Sequence, residues 1–193
     1  WVAGSNGAIF KTSDGGLTWS GEVSHTPSTL FSVAFRTTSF GLAVGTSGGI
    51  VRTTNGGTTW TAQPSGTTQT LYSISFISDS IAFVAGSFGA ILKTIHGGTS
   101  WTLLDSGTDL SLYTIQFTSA LTGWVAGSYG AVIKTTNGGL NWFDQPSIPT
   151  YNDLFSVYFV SSTTGWAVGD FGTILKTSDG ANWTSQSTGV NNE

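Results

Sequence analysis

Hydrolysis of a glycoside needs two carboxyl groups about 5–10 Å apart, placed across the bond to be broken. The loops of this chain offer five aspartates for that work: Asp105, Asp109, Asp144, Asp153 and Asp170. They fall in different loops, and solvation of a surface accounts for each more simply than a reacting pair. Nucleophilic catalysis has less to draw on. His25 and His96 are the only imidazoles and there is no cysteine, so neither a Cys–His pair nor a thiolate metal site can be assembled. Two histidines without a recurring carboxylate do not make a metal centre. The many glycine pairs belong to hairpins, not to the strand–loop–helix that cradles phosphate. No catalytic residue, metal or cofactor is therefore assigned.

The most regular ionisable position is a different one. "KTSDGGLTW" (11–19) returns as "RTTNGGTTW", "KTIHGGTSW", "KTTNGGLNW" and "KTSDGANW", ending at Trp19, Trp60, Trp101, Trp142 and Trp183, which are 41 residues apart at every step. Its polar position holds Asp14, Asn55, His96, Asn137 and Asp179. A short Asp or Asn side chain closes a turn on backbone N–H groups, Gly permits positive φ, and Trp anchors the turn. Asn replaces Asp readily in that role but would weaken a calcium cage, which needs several carboxylates. The segment reads as a structural rivet.

The elements around it repeat too. "LFSVAF" (30–35) recurs at 71–76, 112–117 and 154–159; "GLAVG" (41–45) at 82–86, 123–127 and 165–169; "GGIVRT" (48–53) at 7–12, 89–94, 130–135 and 172–177. Each run is short, β-branched or aromatic, and bounded by Gly, Ser, Asn or Asp, which marks strands and turns. Four short strands in about 41 residues is the period of a propeller blade, and stacking blades buries the two faces that one sheet cannot bury alone. The fold class is all-β: a β-propeller of four-stranded blades over 1–193, with repeats at about 1–29, 30–70, 71–111, 112–153 and 154–193. The first blade lacks its first strand, giving nineteen strand-like runs where five full blades need twenty. We expect the chain to be a segment of something longer. A five-bladed ring, its open blade tolerated or completed by a strand from another chain, is the alternative.

Read as Thr-x-Asp-x-Gly-x-Thr-Trp, the recurring segment resembles the Asp-box, or BNR, repeat of sialidases, sortilin-type receptors and photosystem II assembly-factor-like propellers. The resemblance implies that the box lies on the turn between third and fourth strands. A sialidase site further implies an arginine triad, a Tyr/Glu nucleophile pair and an Asp acid. With only Arg36, Arg52, Glu22 and Glu193 available, that site cannot be built. Resemblance to the assembly-factor-like propellers implies a scaffold, although those look more basic on the partner-facing surface than this chain.

Charged residues make up 8% of the sequence and the net charge is −4, with six basic residues; average domains carry about 25% charge. This is a poor footprint for nucleic acid or anionic membranes, and no apolar run reaches the ~18 residues of a membrane span. Five of the six cations, Lys11, Arg52, Lys93, Lys134 and Lys176, recur at the end of the third strand. Their stems are expected to pack along the sheet, with the head at solvent or on a neighbouring carbonyl.

The turns between second and third strands vary while the frame repeats: "GSNG", "GTSG", "GSFG", "GSYG" and "GDFG". Phe88, Tyr129 and Phe171 at their tips are not demanded by the turn. With Asp170 and Tyr151 they form the candidate binding face, suited to a sugar ring or a protein. The expected function is a non-catalytic interaction or scaffold module, secreted or surface-displayed, with periplasm or thylakoid lumen as alternative compartments. It would bind a protein or glycan through one face. A divergent glycoside-active enzyme is the alternative class.

Overall fold

The computed structural model describes residues 1–187. Nineteen strands lie among the described residues, in five antiparallel sheets. The first sheet has three strands, β1 (Val2–Ala3), β2 (Ile9–Lys11) and β3 (Ser20–Glu22). The second holds β4 (Leu30–Phe35), β5 (Gly41–Gly45), β6 (Ile50–Thr53) and β7 (Thr61–Ala62). The third holds β8 (Leu71–Phe76), β9 (Ala82–Gly86), β10 (Ile91–Thr94) and β11 (Thr102–Leu104). The fourth holds β12 (Leu112–Phe117), β13 (Gly123–Gly127), β14 (Val132–Thr135) and β15 (Phe143–Asp144). The fifth holds β16 (Leu154–Phe159), β17 (Gly165–Gly169), β18 (Ile174–Thr177) and β19 (Trp183–Ser185). This is the blade repeat of a β-propeller, with the first strand of the first blade missing as the period requires. No helix among the described residues is long and apolar enough to cross a membrane.

The fourth strands do not all begin at the same place in the repeat. In four blades the fourth strand begins just after the recurring Trp, because that Trp still belongs to the turn. Only in the last blade, whose box is one residue shorter, does Trp183 itself enter the ladder, opposite Thr177.

Two compact units can be separated: Trp1–Val84 with Leu92–Leu103, and Ala85–Ile91 with the chain from Leu104 onward. The same packing device operates inside each. In the first, Trp1 stacks on Phe35 at 4.4 Å and 16°, and Trp60 meets both rings edge-on. In the second, Trp124 stacks on Phe159 at 4.1 Å and 12°, with Trp183 edge-on to both. Each triad joins the second strand of one blade to the first strand and box of the next. A buried aromatic removes roughly 150–250 Å² from water, about 4–6 kcal/mol at ~25 cal/mol per Å². Gly165 makes the stack possible, because a Cβ there would strike the Phe159 ring. Second strands are buried on both faces: Leu42, Ala43 and Val44 are wholly inaccessible, as are Trp124, Val125 and Ala126. Continuous apolar runs such as these are what stacked sheets require.

The recurring cations clasp neighbouring blades. Lys11 Nζ donates to the Gly56 carbonyl at 3.3 Å, Arg52 Nε to Gly97 at 2.7 Å and Lys134 Nζ to Gly180 at 2.9 Å. Each acceptor is a glycine of the next blade's box. The same heads lie over aromatic rings, Lys11 on Trp1, Arg52 on Phe40 and Lys134 on Trp124. The position belongs to the frame. Burial pulls the Lys134 ammonium below its ordinary range, while Asp179 pushes it the other way.

Candidate binding face

The turns between second and third strands share one local geometry. In the fourth blade Gly127 N donates to Ala131 O at 3.0 Å, and Ala131 N returns to Ser128 O at 3.0 Å. Two consecutive residues then lie at positive φ, Tyr129 at 54° and Gly130 at 71°. That pair is the signature of a type I′ hairpin turn, for which Asn-Gly is the favoured sequence. The first blade has Asn6-Gly7 at this place, at φ 54° and 69°. Gly130 is fixed by contact as well as by φ, since a Cβ would strike the Thr150 carbonyl oxygen.

Against that standard three tips are anomalous. Phe88, Tyr129 and Phe171 sit at φ 52°, 54° and 52°, where a bulky L-residue is a steric outlier. The left-handed conformation costs such a residue roughly 1–2 kcal/mol. Burial does not compensate for it, as the three side chains remain 70%, 70% and 80% exposed. Neither the turn nor the core asks for a ring here. Backbone strain held without a packing reward directs attention to what the side chain does outside the chain. All three tips belong to the second unit.

A second row of aromatics escaped the sequence reading. In β4, β12 and β16 the register shifts after the first residue, between Leu30 and Ser32, Leu112 and Thr114, and Leu154 and Ser156, which places a bulge at Phe31, Tyr113 and Phe155. Such bulges re-aim a side chain. Phe31 and Tyr72 approach at 5.5 Å in the first unit, and Tyr113 and Phe155 at 5.5 Å in the second. Phe155 is half exposed. The signal in the sequence is the recurring Leu-aromatic pair at the start of each first strand, Leu30-Phe31, Leu71-Tyr72, Leu112-Tyr113 and Leu154-Phe155.

Asp153 connects the two rows. Its Oδ1 accepts the Tyr129 amide at 3.0 Å, its Oδ2 accepts the Tyr113 hydroxyl at 3.2 Å, and its carbonyl accepts the Asp170 amide at 2.9 Å. Tyr129, Asp170, Tyr113 and Asp153 thus form one bonded group. Next to it Asn152 donates to Thr173 Oγ1 at 2.8 Å, and Tyr151 stands 88% exposed. Phe88 stands apart on its own turn, joined to this group by no hydrogen bond among the described residues.

The box residues lie at the opposite ends of the strands. Asp14 Oδ1 accepts the Thr12 hydroxyl at 2.8 Å and the Thr18 amide at 2.9 Å, and its Oδ2 accepts the Thr18 hydroxyl at 2.6 Å. These bonds, the Thr18 hydroxyl foremost, hold the carboxyl down to about 2. Asp179 is held well below its ordinary range by the Asn182 side chain, then by the Asn182 and Ala181 amides. Asn55 and Asn137 accept the equivalent amides, of Thr59 and Asn141, at 3.0 Å each. His96 meets Ser100 Oγ at 2.9 Å through Nδ1. Trp60, Trp142 and Trp183 are buried, Trp101 is half-buried, and Trp19 is 46% exposed. The Asp, Asn and His side chains of these turns are spent on the turns themselves. Among the described residues no three of His, Asp and Glu gather as a metal site would need.

A β-propeller built of Asp-box blades, presenting aromatic turn tips, is the class these observations define. A family model described as photosynthesis system II assembly factor YCF48 matches residues 23–142. The chain belongs to that family. Among solved structures, YCF48 from Cyanidioschyzon merolae superposes with a TM-score of 0.72 at 20% identity, over 91% of this chain and 64% of that one. A YCF48 bound to D1 peptide gives 0.56 at 18%, over 81% and 66%. The GH74 enzyme of Niastella koreensis gives 0.75 at 18%, over 92% and 34%. At these identities the likeness is one of fold. The chain spans about two thirds or less of the length of these structures. No curated protein matches the sequence.

Proposed function

We propose that this chain is a non-catalytic propeller scaffold that binds a protein segment through the face bearing Phe88, Tyr129 and Phe171. One observation carries the reading: three aromatic side chains held in left-handed backbone, 70–80% exposed, at positions where Asn6 and Ser47 serve the same turn in other blades. Family membership supports it, since a YCF48 has been seen bound to D1 peptide. Tips standing out from turns suit a protein surface better than a small ligand such as a sugar, which is held in a cleft that buries most of its surface. Asp153 is not free to serve in a reacting carboxylate pair, since its two oxygens are both engaged by its own chain. For the compartment, the family favours the thylakoid lumen over the cell exterior that composition suggested. Titrating a labelled D1 peptide by fluorescence anisotropy tests the function. Wild type should bind, and Phe88→Ala/Tyr129→Ala/Phe171→Ala should lose at least about tenfold in affinity, or ~1.4 kcal/mol, with an unchanged circular-dichroism spectrum. Equal binding by the two proteins refutes the reading.

A further inference from the structure

Charge is divided unevenly within the second unit. Among its described residues it holds two lysines against six acidic residues. Both lysines stand at third-strand ends on the box side: Lys134 is committed to Gly180 and the Trp124 ring, and Lys176 lies over Trp166. Asp105, Asp109, Asp144, Asp153 and Asp170 lie towards the other end, in or beside the loops that carry the aromatic tips. No Lys or Arg occurs in 85–91, 104–111, 127–131, 144–153 or 169–173. This face of the unit is aromatic and of one sign.

Two of these carboxylates stand where the frame uses a hydroxyl. The residue before the tip is Ser5, Thr46, Ser87 and Ser128 in the other blades, and Asp170 in the fifth. In the second and fourth blades that hydroxyl accepts the amide entering the first strand, Thr29 N to Thr46 Oγ1 at 3.1 Å and Ser111 N to Ser128 Oγ at 3.0 Å. The Asp170 carboxylate makes no hydrogen bond among the described residues. The residue preceding the first strand is Thr29, Thr70 and Ser111, then Asp153. Asp153 is tied to the Tyr129 amide, and Asp170 immediately precedes Phe171, so each substituted carboxylate sits beside a strained, exposed ring.

Resting on the protein-binding reading above, we propose that the docking segment of the partner is cationic: an extended stretch bearing Lys or Arg, whose heads lie on the Tyr129 and Phe171 rings and pair with the carboxylates beside them. A cation over an aromatic face is attracted by the ring quadrupole, and a face of one sign steers a segment of the other. An acidic or neutral segment would meet five carboxylates with no cation in these loops to balance them.

The test compares an alternating Lys-Gly peptide with its Glu-Gly counterpart, each titrated into the full chain by anisotropy. The Lys peptide should bind at least about tenfold tighter, and weaken several-fold as salt rises from about 20 to about 200 mM. Asp109→Asn/Asp144→Asn/Asp170→Asn, whose carboxylates the turns do not use, should lose most of that preference without change in melting temperature. A peptide preference that is absent, reversed or unaffected by this triple variant overturns the proposal. If D1-peptide binding nevertheless depends on the three aromatic tips, the scaffold function stands and the cationic partner alone is rejected.

Discussion

Replacing all three tips by Asn should make the protein more stable while it loses its partner. Phe88, Tyr129 and Phe171 lie at φ 52–54°, a conformation costing an ordinary L-residue roughly 1–2 kcal/mol. A short polar Asn side chain tolerates this region better than a ring, and Asn6 occupies it at φ 54° in the first blade; we take about 1 kcal/mol as relieved per site. Against this stands the burial lost with each ring. With 70–80% of the side chain already exposed, that is roughly 20 Å² beyond what Asn still covers, or about 0.5 kcal/mol. The net gain is about 0.5 kcal/mol per site, and separate turns add, so the triple variant gains ~1.5 kcal/mol. For a chain of this size that is a rise of roughly 3–6 °C in midpoint, at about 2–4 °C per kcal/mol. Thermal melting followed by circular dichroism reads it directly, and Asn6→Phe should shift the midpoint the other way. A triple-Asn variant melting at or below wild type would show that the rings stabilise the fold, and the argument from strain to binding would fall.

Three further outcomes follow from the frame. Asp14 titrates at about 2 when folded and near 3.9 when unfolded, so its stabilising contribution is complete above pH ~4 and disappears as pH falls towards ~2; Asp14→Asn should flatten the acid limb of stability measured by urea melts between about pH 5 and 2, and an unchanged limb would place the acid sensitivity elsewhere. Lys134→Met removes a 2.9 Å bond to Gly180 and a cation 4.4 Å from the Trp124 ring; discounted for partial solvation, about 1 kcal/mol should be lost in urea midpoint. Trp124→Ala opens a cavity under Phe159 and Trp183 and should cost ~3–5 kcal/mol, against a typical total of about 5–15, so the far-ultraviolet urea transition should broaden or move to much lower denaturant.

The frame was legible because a repeat states its rules several times. The 41-residue spacing of Trp19 to Trp183 gave the blade, the glycine-bounded runs gave the strands, and the missing first strand showed as a deficit in the count. The bulges were not legible: Tyr113 and Phe155 follow a buried Leu in an apparently regular strand, and only the shift from Leu112 to Thr114, or Leu154 to Ser156, shows the irregularity there. Asp153 was visible as an acidic loop residue. Its bond to the Tyr129 amide spans 24 positions, however, and no local pattern encodes it. The left-handed tips were half visible. Asn6-Gly7 states the turn type openly, and Phe88-Gly89, Tyr129-Gly130 and Phe171-Gly172 align on it, but a ring in place of Asn hides the turn type from a reading of composition.

A position that recurs in every blade reports on the blade, and its chemistry is consumed there. The five cations illustrate this: a ring of charge in the sequence becomes, at Lys11, Arg52 and Lys134, a set of clasps on box glycines. Information about a partner is better sought in departures from the repeat. Three such departures coincide in the second unit: Asn or Ser becomes Phe or Tyr at the tips, Ser or Thr becomes Asp at 170, and Thr or Ser becomes Asp at 153. Strained, exposed rings and the unbonded Asp170 carboxylate stand in a turn that Asn-Gly makes well. Their occurrence together on one face is what a retained binding surface would leave in the sequence.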